Sequence, residues 1–492
     1  MVITDSNGEV RELDGHNHFQ GEVYKQLSLM GRIIGDTIDK YQLLDDAYRA
    51  SGGFEDGSYL IPHPSEGAPK YIRRKKMAYY INYIKPIVDA LVNPIFKAEP
   101  TRSGMSNLYE LFIKDVDGNG TTLTRFMKKA AIRAKLHGVE FLVVDMAKIG
   151  EEEIITEKQI IEERIYPYLY LVSPAQITDY ALDKFGKLVY IAYSVTNYQI
   201  DSEGDKKEIT EIWKWTNTRC KRSIGGVEET FENPIGMIPV IPLYGAINND
   251  NDLLVQSDVF AIAQAEVALL NATSELRERN SAQAFSLLSY PIADDDDYDS
   301  AADGLNVGTA DMILYRASTG NSPEFITPPP DSSNMLLNEM EFIVKEIYRM
   351  ASLRMSTDKN TYNVSAIARK IENQQYYQSV AELAQGLEEA EKKLNKIFSL
   401  YMGDVSDGFE ISYNREYSVV SPEDTLNFAT TSLALGMSKE YNKEMRKQVV
   451  RAVFADSGKD LMNRILESID TDAFSSEPLE GSSPSVVQPT RS

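Results

Sequence analysis

The chain has 492 residues, 42% of them hydrophobic, which gives room for about two or three domains with their own cores and excludes a disordered or fibrous chain. Its 51 Lys+Arg against 74 Asp+Glu leave a net charge of −23. Such a surface repels a polyanion, which argues against a protein that grips nucleic acid by neutralising phosphates but not against one past which DNA slides. The single cysteine, Cys220, excludes an internal disulfide and a multi-cysteine zinc site; beside Lys221 and Arg222 in an expected strand, it reads as an inert thiol.

In chain order, the first 60 residues are polar apart from one amphipathic segment, 22–48. No apolar core follows a basic start, and no apolar run approaches the roughly 20 residues a bilayer requires, so a soluble protein made in a reducing compartment is expected. Over 71–96, Tyr80, Ile84, Ile87, Val88 and Leu91 recur at helical spacing. Pro86 and Pro94 divide that run, predicting a kinked helix ending near Asn93. Thr121 or Thr122 can cap a helix carrying Phe126, Ala130 and Arg133, Gly138 can close it, and VEFLVVD is then a strand. Strand-like YPYLYLVS, KLVYIAYSVTNY and EITEIWKWTN, separated by FGK, SEGDKK and GG turn signals, predict an antiparallel sheet between helical segments. In NPIGMIPVIPLYG, three prolines within nine residues forbid a central strand and favour an extended connector.

After Asp250 long helices are expected. One runs from 252 to 280 with Val255, Val259, Ile262, Leu269 and Leu276 on one stripe, and another from 332 to 350 with Leu336, Leu337, Met340, Ile343, Val344 and Ile347 at helical intervals. Between them lies a mixed module holding the acidic run Asp294 to Asp297, strand-like MILYRA and a triple proline. The pattern then breaks over RMSTDKNTYN, without Gly or Pro, and restarts at Ser365, the expected N-cap. The restarted helix, with Val380, Leu383, Leu387, Ala390, Leu394, Ile397 and Tyr401 in a heptad stripe, would span roughly 55 Å to Met402, weakened locally at Gly386. A strand near Tyr413, helices in DTLNFATTSLALG and KEYNKEMRKQVVRAVF, and a Ser/Pro-rich tail from Ser475 complete the chain. The fold class predicted is α+β, mainly α.

The motifs for chemistry are thin. Asp115, Asp117 and Asn119 with Gly120 match the start of a calcium loop, but the position that should hold a bidentate Glu is Phe126, which favours an Asx-rich turn feeding a helix. The side chains of Asp294 to Asp297 and Asp299 fan outward along the chain, favouring a solvated or partner-facing loop. His16-Asn17-His18 lacks a metal framework. SGKD at 457–460 lacks the first glycine and the hydroxyl of a phosphate cradle, and neither a G-x-S-x-G elbow nor an H-E-x-x-H helix occurs. His137 sits at an expected helix end with no recognisable partner. No catalytic residue, cofactor or metal is therefore assigned, and the protein is expected not to be an enzyme; distant carboxylates acting alone, or with a metal, are the competing reading.

The order of segments resembles that of tailed-bacteriophage portal proteins, the head-to-tail connectors. The pieces are YINYIKPIVDALVNPIFKAEP, HGVEFLVVD, LVSPAQITDY, NPIGMIPVIPLY and SAIARKIENQQ, spanning roughly 70 to 410. The resemblance implies a portal-type fold with long helices, an antiparallel sheet in the wing and a small α/β clip module. It divides the chain into an N-terminal wing (1–251), stem helices (252–280 and 331–351) around the clip (281–330), a tunnel loop (352–363), a long wing helix (364–403), a crown (404–472) and a tail (473–492). It also implies a homo-oligomeric, dodecameric ring at one capsid vertex of a virion assembled in the host cytoplasm, without a membrane. Double-stranded DNA would pass through it, driven by a transient terminase large subunit, with the major capsid protein and a head-tail adaptor as further partners. On that basis Arg354, Thr357, Lys359, Asn360, Tyr362, Arg369 and Lys370 are the candidate channel residues, with Lys359 foremost. Another ring-forming virion adaptor is the nearest alternative.

Overall fold

The computed structural model describes residues 2–4, 10–12, 40–64, 66–146, 159–160, 164–200, 206–246, 252–284, 287–292, 312–316, 322–326, 331–351, 353, 374–403, 408–415, 417, 429–430, 438–453 and 459–471. The chain divides into two units, 1–363 with 371–417 and 364–370 with 418–492. The fold is α+β.

In the first unit, the short hairpin of β1 (Val2–Thr4) and β2 (Val10–Glu12) precedes α1 (Lys40–Arg49). The single kinked helix expected over 71–93 is instead two helices, α2 (Ala68–Met77) and α3 (Ile84–Val92). Pro86 does not kink a helix because it sits in the first turn of α3, where a missing N–H costs nothing. Then follow β3 (Thr101–Ser103), the short α4 (Asn107–Phe112) and α5 (Leu123–His137). Thr122 caps α5, its hydroxyl accepting from the Arg125 N–H. Gly138 closes it at φ 92°, and a Cβ there would lie 2.2 Å from the Val255 carbonyl oxygen, so both backbone angle and space require glycine.

β4 (Val139–Asp145) is buried along almost its whole length because it is covered on both faces. Val139, Phe141 and Val143 point into one apolar cluster, while Leu142 and Val144 point into the larger one. It is the centre of a three-stranded antiparallel sheet with β5 (Tyr168–Val172) on one side and β11 (Val240–Tyr244) on the other. The proline-rich connector predicted there is thus in part a strand. It lies at an edge, with Pro242 opposite Phe141, the one sheet position where a missing donor is tolerated.

The other strands form a separate five-stranded antiparallel meander. These are β6 (Ile177–Leu182), β7 (Leu188–Ile200), β8 (Lys206–Thr216), β9 (Arg219–Ile224) and β10 (Val227–Glu232). The one sheet read from the sequence is therefore two. Ile191, Tyr193, Trp215 and the buried Cys220 of the meander meet Val139, Phe141 and Val143 of β4 in the smaller apolar cluster.

α6 (Phe260–Ala284) begins later and ends later than its stripe suggests. The residues before it are held against the end of α5, where the Ser257 hydroxyl donates to the Lys135 carbonyl and accepts from the Val259 N–H. Past α6, β12 (Leu287–Ile292) pairs parallel to β13 (Met312–Arg316) and antiparallel to β14 (Glu324–Ile326). α7 (Asp331–Met350) then packs along α6.

α8 (Gln374–Met402) is the longest described helix. Its stripe of Val380, Leu383, Leu387, Ala390, Leu394 and Ile397 is buried against β11, α3 and α5, as the heptad spacing requires; the expected cap at Ser365 lies outside the described residues. β15 (Glu410–Ser412), near the predicted Tyr413, pairs with β3 and lies against α8. The second unit contains α9 (Lys439–Val453) and α10 (Lys459–Thr471), packed on each other and tied by Lys443 and Lys447 to Asp470 at 2.8 and 2.7 Å.

Candidate functional site

The seven residues expected to line a channel, Arg354, Thr357, Lys359, Asn360, Tyr362, Arg369 and Lys370, lie outside the described residues. So do Asp294 to Asp297, Asp299 and His16 to His18. What the structure describes is the frame on either side: α6 and α7 before the segment and α8 after it.

α6 changes character along its length. Ile262, Ala263, Val267, Leu269, Leu270, Ala272 and Thr273 are buried, whereas Glu275, Arg277, Arg279 and Asn280 are exposed. α7 does the reverse, with Met335, Leu337 and Phe342 exposed near its start and Ile347 fully buried near its end. The two core ends share the main apolar cluster, and the helices pack on each other, so the chain leaves the core along α6 and re-enters along α7. The small mixed sheet of β12, β13 and β14 is inserted between them. A helix mostly buried at one end and solvated at the other leaves its domain, which an apolar stripe alone does not reveal.

The base of this hairpin is fixed by polar contacts across long sequence separations. Glu266 of α6 is wholly buried, and its Oε1 accepts from the N–H groups of Tyr83 (2.6 Å) and Ile84 (2.8 Å), while the Tyr80 hydroxyl donates to Oε2. Asn82 Oδ1 accepts from Lys85 N–H at 2.9 Å, and Pro86 has no N–H. The orphan donors at the start of α3 are thereby satisfied, chiefly by a carboxylate from another helix placed where the helix dipole favours it. Burial nonetheless pushes the Glu266 carboxyl up to about 7, against the three hydrogen bonds that favour its charged form. Around the same helix, Arg74 donates to Ser274 (3.2 Å) and to Glu66 (2.8 Å), and Asn271 Oδ1 accepts from Ile61 N–H at 2.8 Å.

His137 has the partners its sequence context hid. Its ring lies 3.2 Å from Asp45 of α1 through Nε2 and 3.3 Å from Glu140 of β4 through Nδ1, and Arg133 Nε donates to Glu140 at 2.6 Å. Burial opposes a charged imidazole here, but the hydrogen bonds and charges of Asp45 and Glu140 outweigh it and raise its pKa. No nucleophile adjoins the cluster among the groups bonded to it, and the arrangement ties α1, α5 and β4 together.

A second buried pair locks α8. Arg102 of β3 makes a two-pronged contact to Glu391, with Nε and Nη2 each at 2.7 Å, and the Tyr413 hydroxyl also donates to Glu391. Burial works against the guanidinium charge, and Glu391 overcomes it, holding Arg102 above the ordinary arginine range.

The calcium-like loop is an Asx turn. Asp115 Oδ1 accepts from the N–H groups of Gly118 (2.9 Å) and Gly120 (3.0 Å), and Arg164 Nε donates to Oδ2 at 3.1 Å. Asp117 Oδ1 accepts from Asn119 N–H at 2.9 Å. These oxygens are engaged by the loop's own amides and a guanidinium, which leaves the turn its role of leading into α5. Among the described residues no group of three or more His, Cys, Asp or Glu side chains could hold a metal ion, and no helix is long and apolar enough to cross a membrane.

No protein-family model matches the chain, and no curated protein does. Among solved structures, a chain described as the virion of a native gene transfer agent particle is similar over 87% of this chain and 98% of its own length, with 12% identity and a TM-score of 0.40. A chain described as the neck of an empty particle of that kind, computed with C6 symmetry, is similar over 84% and 94%, with 10% identity and a TM-score of 0.40.

Proposed function

We propose that the chain is a structural component of a phage-like particle and, more finely, the portal subunit: a ring-forming conduit for double-stranded DNA at one capsid vertex. The observation that carries this reading is the helical hairpin of α6 and α7. It leaves the core, bears a small mixed sheet between its arms, and leads through residues 351–373 into the longest described helix. Stem, clip, stem, tunnel loop and wing helix follow one another in that order in the family the sequence resembles. The net charge of −23 agrees with a conduit, because every phosphate neutralised by the wall would have to be released as the duplex advances. Residues 352–363 are then the tunnel loop, and Lys359, with Arg354, Arg369 and Lys370 nearby, supplies isolated cations that damp repulsion without gripping. Asn360 and Tyr362 shape its tip, with Thr357 beside them. The chain performs no chemistry in this reading; the terminase moves the DNA, and the capsid and adaptor proteins hold the ring.

Native mass spectrometry and negative-stain microscopy of the purified protein test the ring directly. A closed assembly of about a dozen copies with a central hole is expected. A monodisperse monomer across salt and concentration overturns the proposal. For the loop, Lys359→Ala and deletion of 357–361 are expected to leave assembly intact while lowering DNA packaging or retention, and normal packaging by both removes the loop from DNA handling.

A further inference from the structure

Resting on the ring reading, we propose that copies of this chain contact one another head to tail through the exposed face of α7 on one copy and a cationic cleft between α1 and α5 on the next.

The cleft has a volume of about 350 Å³. Tyr48, Ile132 and Leu136 line it with apolar surface, Arg49, Arg125, Lys128 and Lys129 surround them, and the one carboxylate in the lining, Asp45, is engaged by His137 at 3.2 Å. In so acidic a chain, that many cations at one opening stand out. Arg133, also at the cleft, is turned to Glu140, and Arg49 has only a loose 3.9 Å contact with Asp45. Among the described residues, no carboxylate pairs with Arg125, Lys128 or Lys129. The spacing of three and four along α5 puts these three cations beside one another at the cleft mouth.

α7 carries the complementary pattern. Met335 and Phe342, 71% and 63% exposed, are seven residues apart and therefore lie on one helix face, turned well away from the one that Ile347 buries in the core. Asp331 and Glu339 sit on the same outer face, and among the described residues no cation pairs with either. Glu346, next along that face, is held by Arg349 at 2.6 Å. Two apolar anchors at i and i+7, ringed by unpaired carboxylates, form the pattern of a helix that lies in an apolar groove with a basic rim. The exposed apolar pair marks a surface that is covered in the assembled state, and the matched charges set which surface covers it. The cleft and the α7 face share no residue, so pairing them gives a heterologous contact, the kind that closes into a ring rather than stopping at a dimer.

Charge reversal in the full-length protein tests this. The cleft variant Arg125→Glu with Lys128→Glu, and separately the helix variant Asp331→Lys with Glu339→Lys, are each expected to raise the concentration for half-assembly by about tenfold or more. The four changes combined are expected to restore assembly, a recovery that misfolding would not give. A cysteine pair, Lys129→Cys with Glu339→Cys, is expected to give a ladder of linked chains longer than dimers on mild oxidation, since the native Cys220 is buried. Rings formed by both reversal variants at the wild-type concentration overturn this contact and leave the portal reading standing. Reversed-cleft rings that form normally but lose co-sedimentation with DNA overturn it by assigning the cleft to DNA. Cross-linking that stops at dimers overturns the head-to-tail arrangement, and absence of rings in the wild type removes both this contact and the reading it rests on.

Discussion

At the residue scale, the molecule is held by a few buried charges that no local pattern announces. Arg102 and Glu391 are 7% and 0% exposed, so removing one partner strands the other without water. Arg102→Met is expected to destabilise the first unit by about 3–5 kcal/mol, measured by chemical denaturation, and Arg102→Met with Glu391→Leu by less, because no charge is then orphaned. A double variant as unstable as the single one would contradict that account. His137 and Glu266 make stability depend on pH, and both in the same direction. The His137 pKa is raised, so its contribution is full below the ordinary value near 6.5 and is lost as pH rises through the folded value. Glu266 is raised from 4.5 to about 7, so the folded state binds more protons across that interval, and stability falls as pH rises through it. Melting temperatures are expected to decline from mildly acidic to mildly basic pH. Glu266→Gln is expected to flatten the lower part of that profile and His137→Gln the upper part; unchanged slopes in both would rule these groups out as its source.

At the element scale, what could be read from the sequence was what local chemistry controls. Thr122, the α5 stripe, Gly138 and the apolar run of β4 follow one another as a helix, its stop and a doubly covered strand, because cap, period and turn residue all act within a few positions. The α8 stripe and the existence of α7 were legible for the same reason, but of the α7 stripe only Ile347 is buried and Leu337 is exposed, because the start of α7 lies outside the core. The break between α2 and α3 was not, because the first turn of α3 is capped by Glu266, which is 182 residues from Ile84 in the sequence. The partners of His137 were hidden likewise, Asp45 lying 92 residues away. The edge position of β11 depends on pairing with β4, which proline content alone does not decide. The channel residues proposed between α7 and α8 lie outside the described residues, so for them the sequence remains the source. Gly386 gives a test within one helix. A Cβ there would meet the Tyr244 carbonyl oxygen at 3.8 Å and Leu243 Cδ1 at 3.9 Å, which is ordinary contact. Gly386→Ala is therefore expected to stabilise α8 by about 0.5–1 kcal/mol, by removing glycine's excess unfolded freedom, and a drop in melting temperature would show that the helix needs the gap.

At the scale of the whole molecule, charge and architecture make one joint demand. In the proposed ring the −23 of each chain would be multiplied, and a polyanion would meet a repulsive field unless cations were gathered where it passes. In the proposed contact, the cations at the α1–α5 cleft would face the acidic outer surface of α7 on a neighbouring copy. Taking them up in subunit contacts would leave DNA only sparse cations to meet, which suits passage rather than retention. Purified assemblies are accordingly expected to bind linear duplex DNA weakly at physiological salt, with any low-salt binding falling steeply as salt rises, measured by fluorescence anisotropy across a salt series. Persistent submicromolar affinity at about 0.15 M salt would mean a basic, gripping surface, and the chain would then act as a clamp rather than a conduit.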